Sequence, residues 1–477
     1  MRPTHHIPAE IIHEIFSHLY QLPLRVHEAH QFPWYLGQIC SQWRAVFLSM
    51  RLLFWNEIQI EHAHAEETER DTSVTAPSFL RLYDSDSEID TKQSEDCYVQ
   101  PDASHTMAML TFFLDITRGA PFSFTLYSEQ DYYTTNIETQ YVRLLLSKLS
   151  DHSMQWENVF MRLQFSEFSL LHNVKNRLPS LQCLELVLPY HLETEGSNHH
   201  PQLGDIFKNA PLLTDVKLCR LSDVAWTFDW ASLITIHLLT SDDPEGIVSA
   251  LRHTINLEQF TIDHMLLPLD SANVEKIGII KLPHLEYLSI HGVSLLTVIQ
   301  APALKLLNIN FWNQYGPFSL DEGDDALKAR VTMDFLLRSH CEIAVFFSRG
   351  LRSPALIEIL TCMPGLHRLA LDDECESLIG MVKWLAGSQS STDATLPRDL
   401  PLPRLDLLAF FRIFLFSNSS SMHTFLEALQ DMVVDRNVLG DTRRLSPKEL
   451  RLHTPMKKVF DRLEPLCRER GVQLNFI

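Results

Sequence analysis

The segment Pro283-His284-Leu285-Glu286-Tyr287-Leu288-Ser289-Ile290 is one copy of a pattern that recurs along this chain and predicts its fold. Each copy has the form Pro-x-Leu-x-x-Leu-x-Leu, with another apolar residue sometimes replacing a leucine. Side chains alternate between the two faces of a strand, so the last two apolar residues of the motif point to the same side. A single short strand cannot bury that side alone, so successive copies must stack on one another. The copies begin at Pro179, Pro211, Pro283, Pro302, Pro364 and Pro403.

Weaker copies extend the series and define the fold class. Two lack the proline, at 233–238 and 257–262, and degenerate strands are predicted at 122–127, 159–165 and 341–347. The first leucines from Leu181 to Leu304 stand at intervals of 32, 20, 24, 28 and 19 residues, which resembles leucine-rich repeats with variable insertions. No regular Asn or Cys follows the last leucine, so irregular turns are expected. We predict an α/β fold, an irregular leucine-rich-repeat solenoid with parallel strands on the concave face and helices on the convex face.

Helical patterns lie between the predicted strands. Apolar residues recur at helical spacing in 244–253, 325–339, 353–362 and 376–386. A last helix is expected to begin at Thr454, an N-cap residue followed by Pro455, and to end before Gly471. These helices would form the outer layer of the solenoid.

Two amphipathic stretches precede the repeats. Residues 11–19 place Ile and Phe on one face of a helix, and a second such stretch covers 34–47. Together they resemble the F-box, with Ile-Pro-x-Glu-Ile-Ile-x-x-Ile-Phe followed by Leu-x-x-Ile-Cys-x-x-Trp-Arg. The sequence departs from that family in having Ile7 where leucine is usual and in a long loop at 20–32.

The F-box resemblance implies a partner. In that family the helices form a compact cluster that docks a Skp-type adaptor and, through it, a cullin. By position in the motif, the residues expected to contact the adaptor are Ile7, Pro8, Ile11, Ile12, Ile15, Phe16, Leu36, Ile39, Cys40, Trp43 and Arg44.

Three segments are predicted. Residues 1–57 hold the F-box-like helices, and residues 105–477 hold the repeats. Residues 58–104 hold a first strand and then an acidic insertion, which we expect to be exposed and disordered because few apolar residues remain to offset the entropy of ordering.

Charge and composition exclude several classes of protein. The formal net charge is −20, so a nucleic-acid backbone would be repelled and no nucleic-acid partner is expected. No Cys-x-x-Cys pair, Gly-rich phosphate loop or His-Glu-x-x-His helix occurs, so we expect no metal and no cofactor. The start has no secretory pattern and the longest apolar run, 405–416, is interrupted by charges. We expect a cytoplasmic or nuclear protein with no membrane partner.

The residues between the core leucines would face the concave surface and contact a protein target. Lys217 and Arg368 are the permanent cations in that predicted set, so a cluster of arginines for a phosphorylated segment is not supported, and a neutral or mildly basic target fits better. The predicted target-binding residues are Glu185, Lys217, His237, Thr261, Tyr287, Ser289, Asn308 and Arg368.

The expected function is that of a non-catalytic substrate-recognition subunit of a Skp-cullin-F-box ubiquitin ligase, in which the repeats hold an unknown protein target. One alternative is a scaffold or interaction protein whose F-box-like helices only cap the repeats. A metal-dependent hydrolase is a further alternative, suggested by neighbouring histidines at 5–6, 62–64 and 199–200. These histidines lie in polar or terminal segments, where solvent-exposed side chains are the simpler interpretation.

Overall fold

A computed structural model of the 477-residue chain provides the structure. By its internal packing the chain divides into two compact units, residues 1–181 with 186–196, and residues 182–185 with 197–477. The boundaries after residues 57 and 104 stay predictions, and most of the acidic segment falls outside the described residues. The structure describes residues 7–19, 24–25, 39–50, 56–62, 103–117, 119–128, 136–163, 165–187, 205–219, 227–241, 243–265, 269, 276–311, 325–372, 375–386, 402–411, 419–438, 447–452 and 463–476.

The first unit contains the N-terminal helices and the first parallel strands. Strand β1 pairs with β2, β2 with β3 and β3 with β4, and Ile58 lies opposite Phe124 in the shared register. The elements are α1 (Ala9–Leu19), β1 (Leu24–Arg25), α2 (Ser41–Ser49), β2 (Glu57–His62), α3 (Ala103–Thr117), β3 (Phe122–Ser128), α4 (Asn136–Asp151), β4 (Trp156–Arg162) and the one-turn helix α5 (Phe165–Phe168).

Helices α1 and α2 pack through aromatic rings. Phe16, which is fully buried, contacts Trp43 and Phe47 edge to face, with ring centroids 5.1 and 6.4 Å apart. The Gln42 side-chain amide donates a 2.6 Å hydrogen bond to the Ile7 carbonyl, which ties the start of α1 to α2. The predicted helical pair is therefore present in the structure.

The second unit is a stack of parallel strands joined by helices and loops. Strands β6, β7, β8, β10, β12, β13, β14, β15, β16 and β17 follow one another in this order, while β9 and β11 form a separate parallel pair. Strand β5 (Cys183–Val187) falls at the division between the units. The other strands are β6 (Asp215–Leu218), β7 (Thr235–Ser241), β8 (Gln259–Met265), β9 (Ile280–Lys281), β10 (Tyr287–His291), β11 (Ile299–Gln300), β12 (Leu306–Asn310), β13 (Val345–Arg349), β14 (Arg368–Asp372), β15 (Leu407–Phe411), β16 (Glu449–Leu452) and β17 (Gln473–Phe476).

The leucines of the motif form the core of this stack. Leu285, Leu288 and Ile290 of the quoted copy are all 2% exposed or less. Leu288 lies opposite Phe260 on one side and Leu307 on the other, so equivalent residues of neighbouring copies line up in register. Each added strand buries apolar surface on both of its neighbours, and this burial stabilises the stack by roughly 25 cal/mol per Å². The predicted α/β solenoid is confirmed in this unit.

The predicted outer helices are present in the second unit: the helix at 325–339 has the predicted ends, and the ends of the other three differ by at most two residues. Buried residues of these helices include Ile247, Phe335 and Ile359, which complete the core on the side of the leucines. Gly471 has a φ of 70° two residues after the last helix, as a C-terminal glycine should. The helices are α6 (Pro244–Leu251), α7 (Asp325–Ser339), α8 (Ser353–Thr361), α9 (Cys375–Leu385), α10 (Ser419–Val438) and α11 (Leu463–Glu469). The expected start of the last helix, Thr454 and Pro455, lies outside the described residues.

Two of the degenerate strands differ from their predicted positions: the first was predicted three residues too late in the chain, and the second was predicted too early. Strand β4 begins at Trp156 and ends before Leu163, whereas the prediction was 159–165. Strand β13 begins at Val345, whereas the prediction was 341–347. In β13 the motif is reduced to Ile343, Phe346 and Ser348, all buried, and a serine in the place of the last leucine hides the pattern.

Candidate functional site

The strands of the second unit carry a second set of side chains that point away from the leucine core. We call this surface the open face, and most of its residues are half-buried, as the burial patterns of β6 and β12 show by strict alternation. The register places its residues in rows across the strands. The middle row reads Lys217, His237, Thr261, Ser289, Asn308, Phe347, Ala370, Ala409, Arg451 and Asn475.

Four neutral polar residues at the centre of the open face form a hydrogen-bonded group, which we call the polar patch: Thr261, Tyr287, Ser289 and Asn308. The Asn308 side-chain amide donates a 2.9 Å hydrogen bond to the Ser289 hydroxyl. Burial raises the pKa of the Tyr287 phenol, and hydrogen bonds with Ser289, Thr261 and Asn308 oppose that shift. The phenol is thus neutral at ordinary pH and belongs to a connected network.

An apolar group adjoins the polar patch in the same rows. Phe347 lies opposite Asn308, and Leu306 lies opposite Val345, so the two groups are continuous. We call this group the apolar patch, and the exposed Arg368 on β14 lies inside it, between Val345 and Leu407 in the register. Its residues are Leu306, Val345, Phe347, Ala370, Leu407 and Ala409.

Charges on the open face are paired locally. Lys217 Nζ lies 2.7 Å from Glu185 Oε1, and His237 Nε2 lies 2.8 Å from Asp263 Oδ2. Further along, an arginine of β13 and one of β16 each contact a carboxylate on the same or a neighbouring strand. These pairs are Arg349 Nε with Asp372 Oδ2 at 3.3 Å and Arg451 Nε with Glu449 Oε1 at 2.7 Å.

The neighbours of the Glu449 carboxylate favour its charged state. Its pKa is lowered mainly by the hydrogen bond from Arg451, and the Asn475 amide, whose nitrogen lies 2.6 Å away, adds to the shift. The charge of Arg368, an exposed residue, also lowers this pKa. The cationic side chains at this end of the open face therefore already have a carboxylate of the same face close to them.

All eight predicted target-binding residues lie on strands, at positions that alternate with the core. Glu185, Lys217, His237, Thr261, Tyr287 and Asn308 are half-buried, Ser289 is 8% exposed, and Arg368 is exposed. Their role in binding stays a prediction.

The sequence reading missed several residues of the open face. A strand was predicted at 341–347, but none of its residues was assigned to this surface, so Val345 and Phe347 were missed, as was Arg349 beyond its end. Strand β16 was not predicted, so Arg451 was missed as well. The open face therefore carries Arg349 and Arg451 in addition to Lys217 and Arg368, the cations of the predicted set. The sequence does signal β16, through the alternating Leu450 and Leu452, which are both buried, whereas Ser348 hides the corresponding pattern in β13.

The predicted adaptor-contacting residues divide by exposure. Ile7, Ile11 and Ile39 are 42%, 51% and 52% exposed, whereas Ile12 and Phe16 are completely buried. The structure thus gives Ile12 and Phe16 a packing role inside this chain. Of the others, Pro8, Cys40 and Arg44 are exposed, Ile15 and Trp43 are half-buried, and Leu36 lies outside the described residues.

These features define a class of protein by its fold alone: a repeat protein of the leucine-rich type, built from stacked parallel strands. Within the described ranges, no group of three or more His, Cys, Asp or Glu side chains could hold a metal ion. Among the helices that the structure describes, none is both long and apolar enough to cross a bilayer.

Comparison with known proteins adds little to this class. No family model matches the chain, and no curated protein matches it. A solved structure described as a complex of TLR13 with ssRNA13 aligns with 67% of this chain and 44% of its own chain, at 14% identity and a TM-score of 0.30. The chain therefore spans less than half the length of that protein, and so low a TM-score supports nothing further about fold or function.

Proposed function

We propose that this chain is the substrate-recognition subunit of a Skp-cullin-F-box-type ubiquitin ligase. Helices α1 and α2 dock the adaptor, and the open face holds a protein target. The chain makes no bond itself. It raises the effective concentration of target lysines near a ubiquitin-charged enzyme.

The contrast between neighbouring isoleucines carries this proposal. Ile12 is fully buried, but Ile11 beside it is 51% exposed, and Ile39 just before α2 is 52% exposed. Helices that served only to cap the repeats would bury such side chains, because a fully exposed isoleucine forgoes about 1.5–3 kcal/mol of transfer free energy and a half-exposed one about half of that. Exposed apolar residues at the positions that the F-box motif uses for docking support a second polypeptide as their partner.

The test is adaptor binding by the full chain. The variants Ile11→Asp and Ile39→Asp each place a charge in the proposed interface, and we expect each to weaken binding of a purified Skp-type adaptor at least tenfold. Leu337→Asp is the matched control, because Leu337 is 62% exposed on α7 of the second unit and should leave adaptor affinity unchanged. Hydrogen exchange of the free variants should match that of the unsubstituted chain.

The alternative is a scaffold protein in which α1 and α2 only cap the first unit. That function predicts no adaptor binding by the unsubstituted chain, and loss of protection throughout the first unit in Ile11→Asp. Adaptor binding that survives both substitutions would contradict docking through these helices.

A further inference from the structure

The polar patch and the apolar patch together form one continuous strip on the second unit. The strip crosses β8, β10, β12, β13, β14 and β15, which are consecutive strands of the sheet. Adjacent strands are about 4.8 Å apart, so the strip is roughly 24 Å long. An extended polypeptide of about seven residues has that length.

The two halves of the strip offer different chemistry. The polar patch presents hydroxyl and amide groups that are neutral and can both donate and accept hydrogen bonds, as peptide amides require. The apolar patch presents Phe347 and Leu407, which are half-buried and lie two strands apart. On β14 between them, Ala370 lies opposite Phe347 and the exposed Arg368 lies opposite Leu407. Phe347 lies two strands, or about 10 Å, from Tyr287, which is about three residues of extended chain.

Charge complementarity argues against an acidic or phosphorylated ligand. A phosphate needs arginines that are available for bidentate hydrogen bonds. Arg349 and Arg451 contact Asp372 and Glu449, and the charge of Arg368, the exposed arginine on β14 within the strip, also acts on the Glu449 carboxylate. These carboxylates would also repel an incoming anion. An uncharged segment meets no such penalty at the apolar patch.

We propose that the open face recognises an extended, unphosphorylated protein segment, in which an aromatic or large aliphatic side chain seats on Phe347 and Leu407 while neutral polar groups about three residues away bond to the polar patch. This inference rests on the proposed function, because it names the class of target that the receptor would hold.

The probe is a library of random peptides of about nine residues, long enough to cover the strip, displayed against the full chain. A second arm presents the same library with phosphoserine at a fixed position. Enriched peptides are then measured individually at low and high salt against the variants Phe347→Ser and Leu407→Ser. Ile255→Ser is the matched control, because Ile255 is 58% exposed in the loop before β8 and lies outside the open face.

We expect enriched peptides to share an aromatic or large aliphatic position and to bind with little dependence on salt. Their affinity for Phe347→Ser and for Leu407→Ser should be lower by about tenfold or more, because loss of a central apolar anchor weakens binding by that much. The control should bind normally. Enrichment confined to the phosphoserine arm, binding lost at high salt, full affinity in both variants, or no enrichment at all would each overturn the inference. None of these results changes adaptor binding through Ile11 and Ile39, so a failure here is distinguishable from a failure of the proposed function.

Discussion

Two consecutive leucines of β12 provide a direct test of the register of the repeats. Leu307 is fully buried, lying opposite Leu288 and Phe346 in the adjacent strands. Leu306 points to the open face and is half-buried between Tyr287 and Val345. The same substitution, leucine to alanine, should therefore have different effects at the two positions.

The magnitudes follow from burial. At Leu307 the change removes buried methyl groups and leaves a cavity closed by two neighbouring strands, so we expect a loss of about 3–4 kcal/mol in the free energy of opening. At Leu306 the space left by the side chain is open to water, so the cavity contribution is absent. We expect a loss of about 1 kcal/mol there, from transfer of the partly exposed side chain alone.

Native-state hydrogen exchange of the full chain, read by mass spectrometry on peptides from β10, β12 and β13, measures these losses. Local exchange is preferable to a global unfolding curve, because stacked repeats can open in parts. Equal losses for the two variants, or a larger loss for Leu306→Ala, would refute the register. A slip of one residue exchanges the faces of every side chain in the strand.

Two other predictions concern single polar contacts. The Asp243 carboxylate caps α6 by accepting a 2.8 Å hydrogen bond from the Gly246 amide. Asp243→Ala should therefore lower the free energy of opening of α6 by about 1 kcal/mol, whereas Asp243→Asn should retain most of it. Hydrogen exchange of α6 measures both effects. The pKa of Asp406 is lowered mainly by its hydrogen bond with Lys448, and the His367 ring contributes as well. Because the folded pKa lies below the unfolded one, this carboxylate stabilises the fold at neutral pH, and the contribution disappears as pH falls through the folded value. The difference in Tm between the unsubstituted chain and Asp406→Asn should accordingly shrink on acidification, and a difference that is constant with pH would contradict this role.

The part of the fold that could be predicted is the part built from leucine. Copies such as Pro302 to Ile309 predict both the strand and the side of it that is buried. Alternating apolar residues after a proline are compatible with few structures other than a strand with one buried face. Helices α3, α4 and α10 were not predicted, although α10 places Phe425, Leu429 and Met432 at helical spacing and buries all three. The apolar spacing in this segment is typical of a helix, but the segment lies outside the repeated motif on which the prediction was based.

The amino-acid sequence by itself determined that strands stack and which face each strand buries, because side-chain alternation is a local property of the backbone. It did not determine which residues become neighbours across strands. Phe347 beside Asn308, Arg349 beside Asp372, and Ile11 exposed while Ile12 is buried all depend on register and on helix packing. Those are set by contacts between residues distant in the chain, which only the tertiary structure brings together.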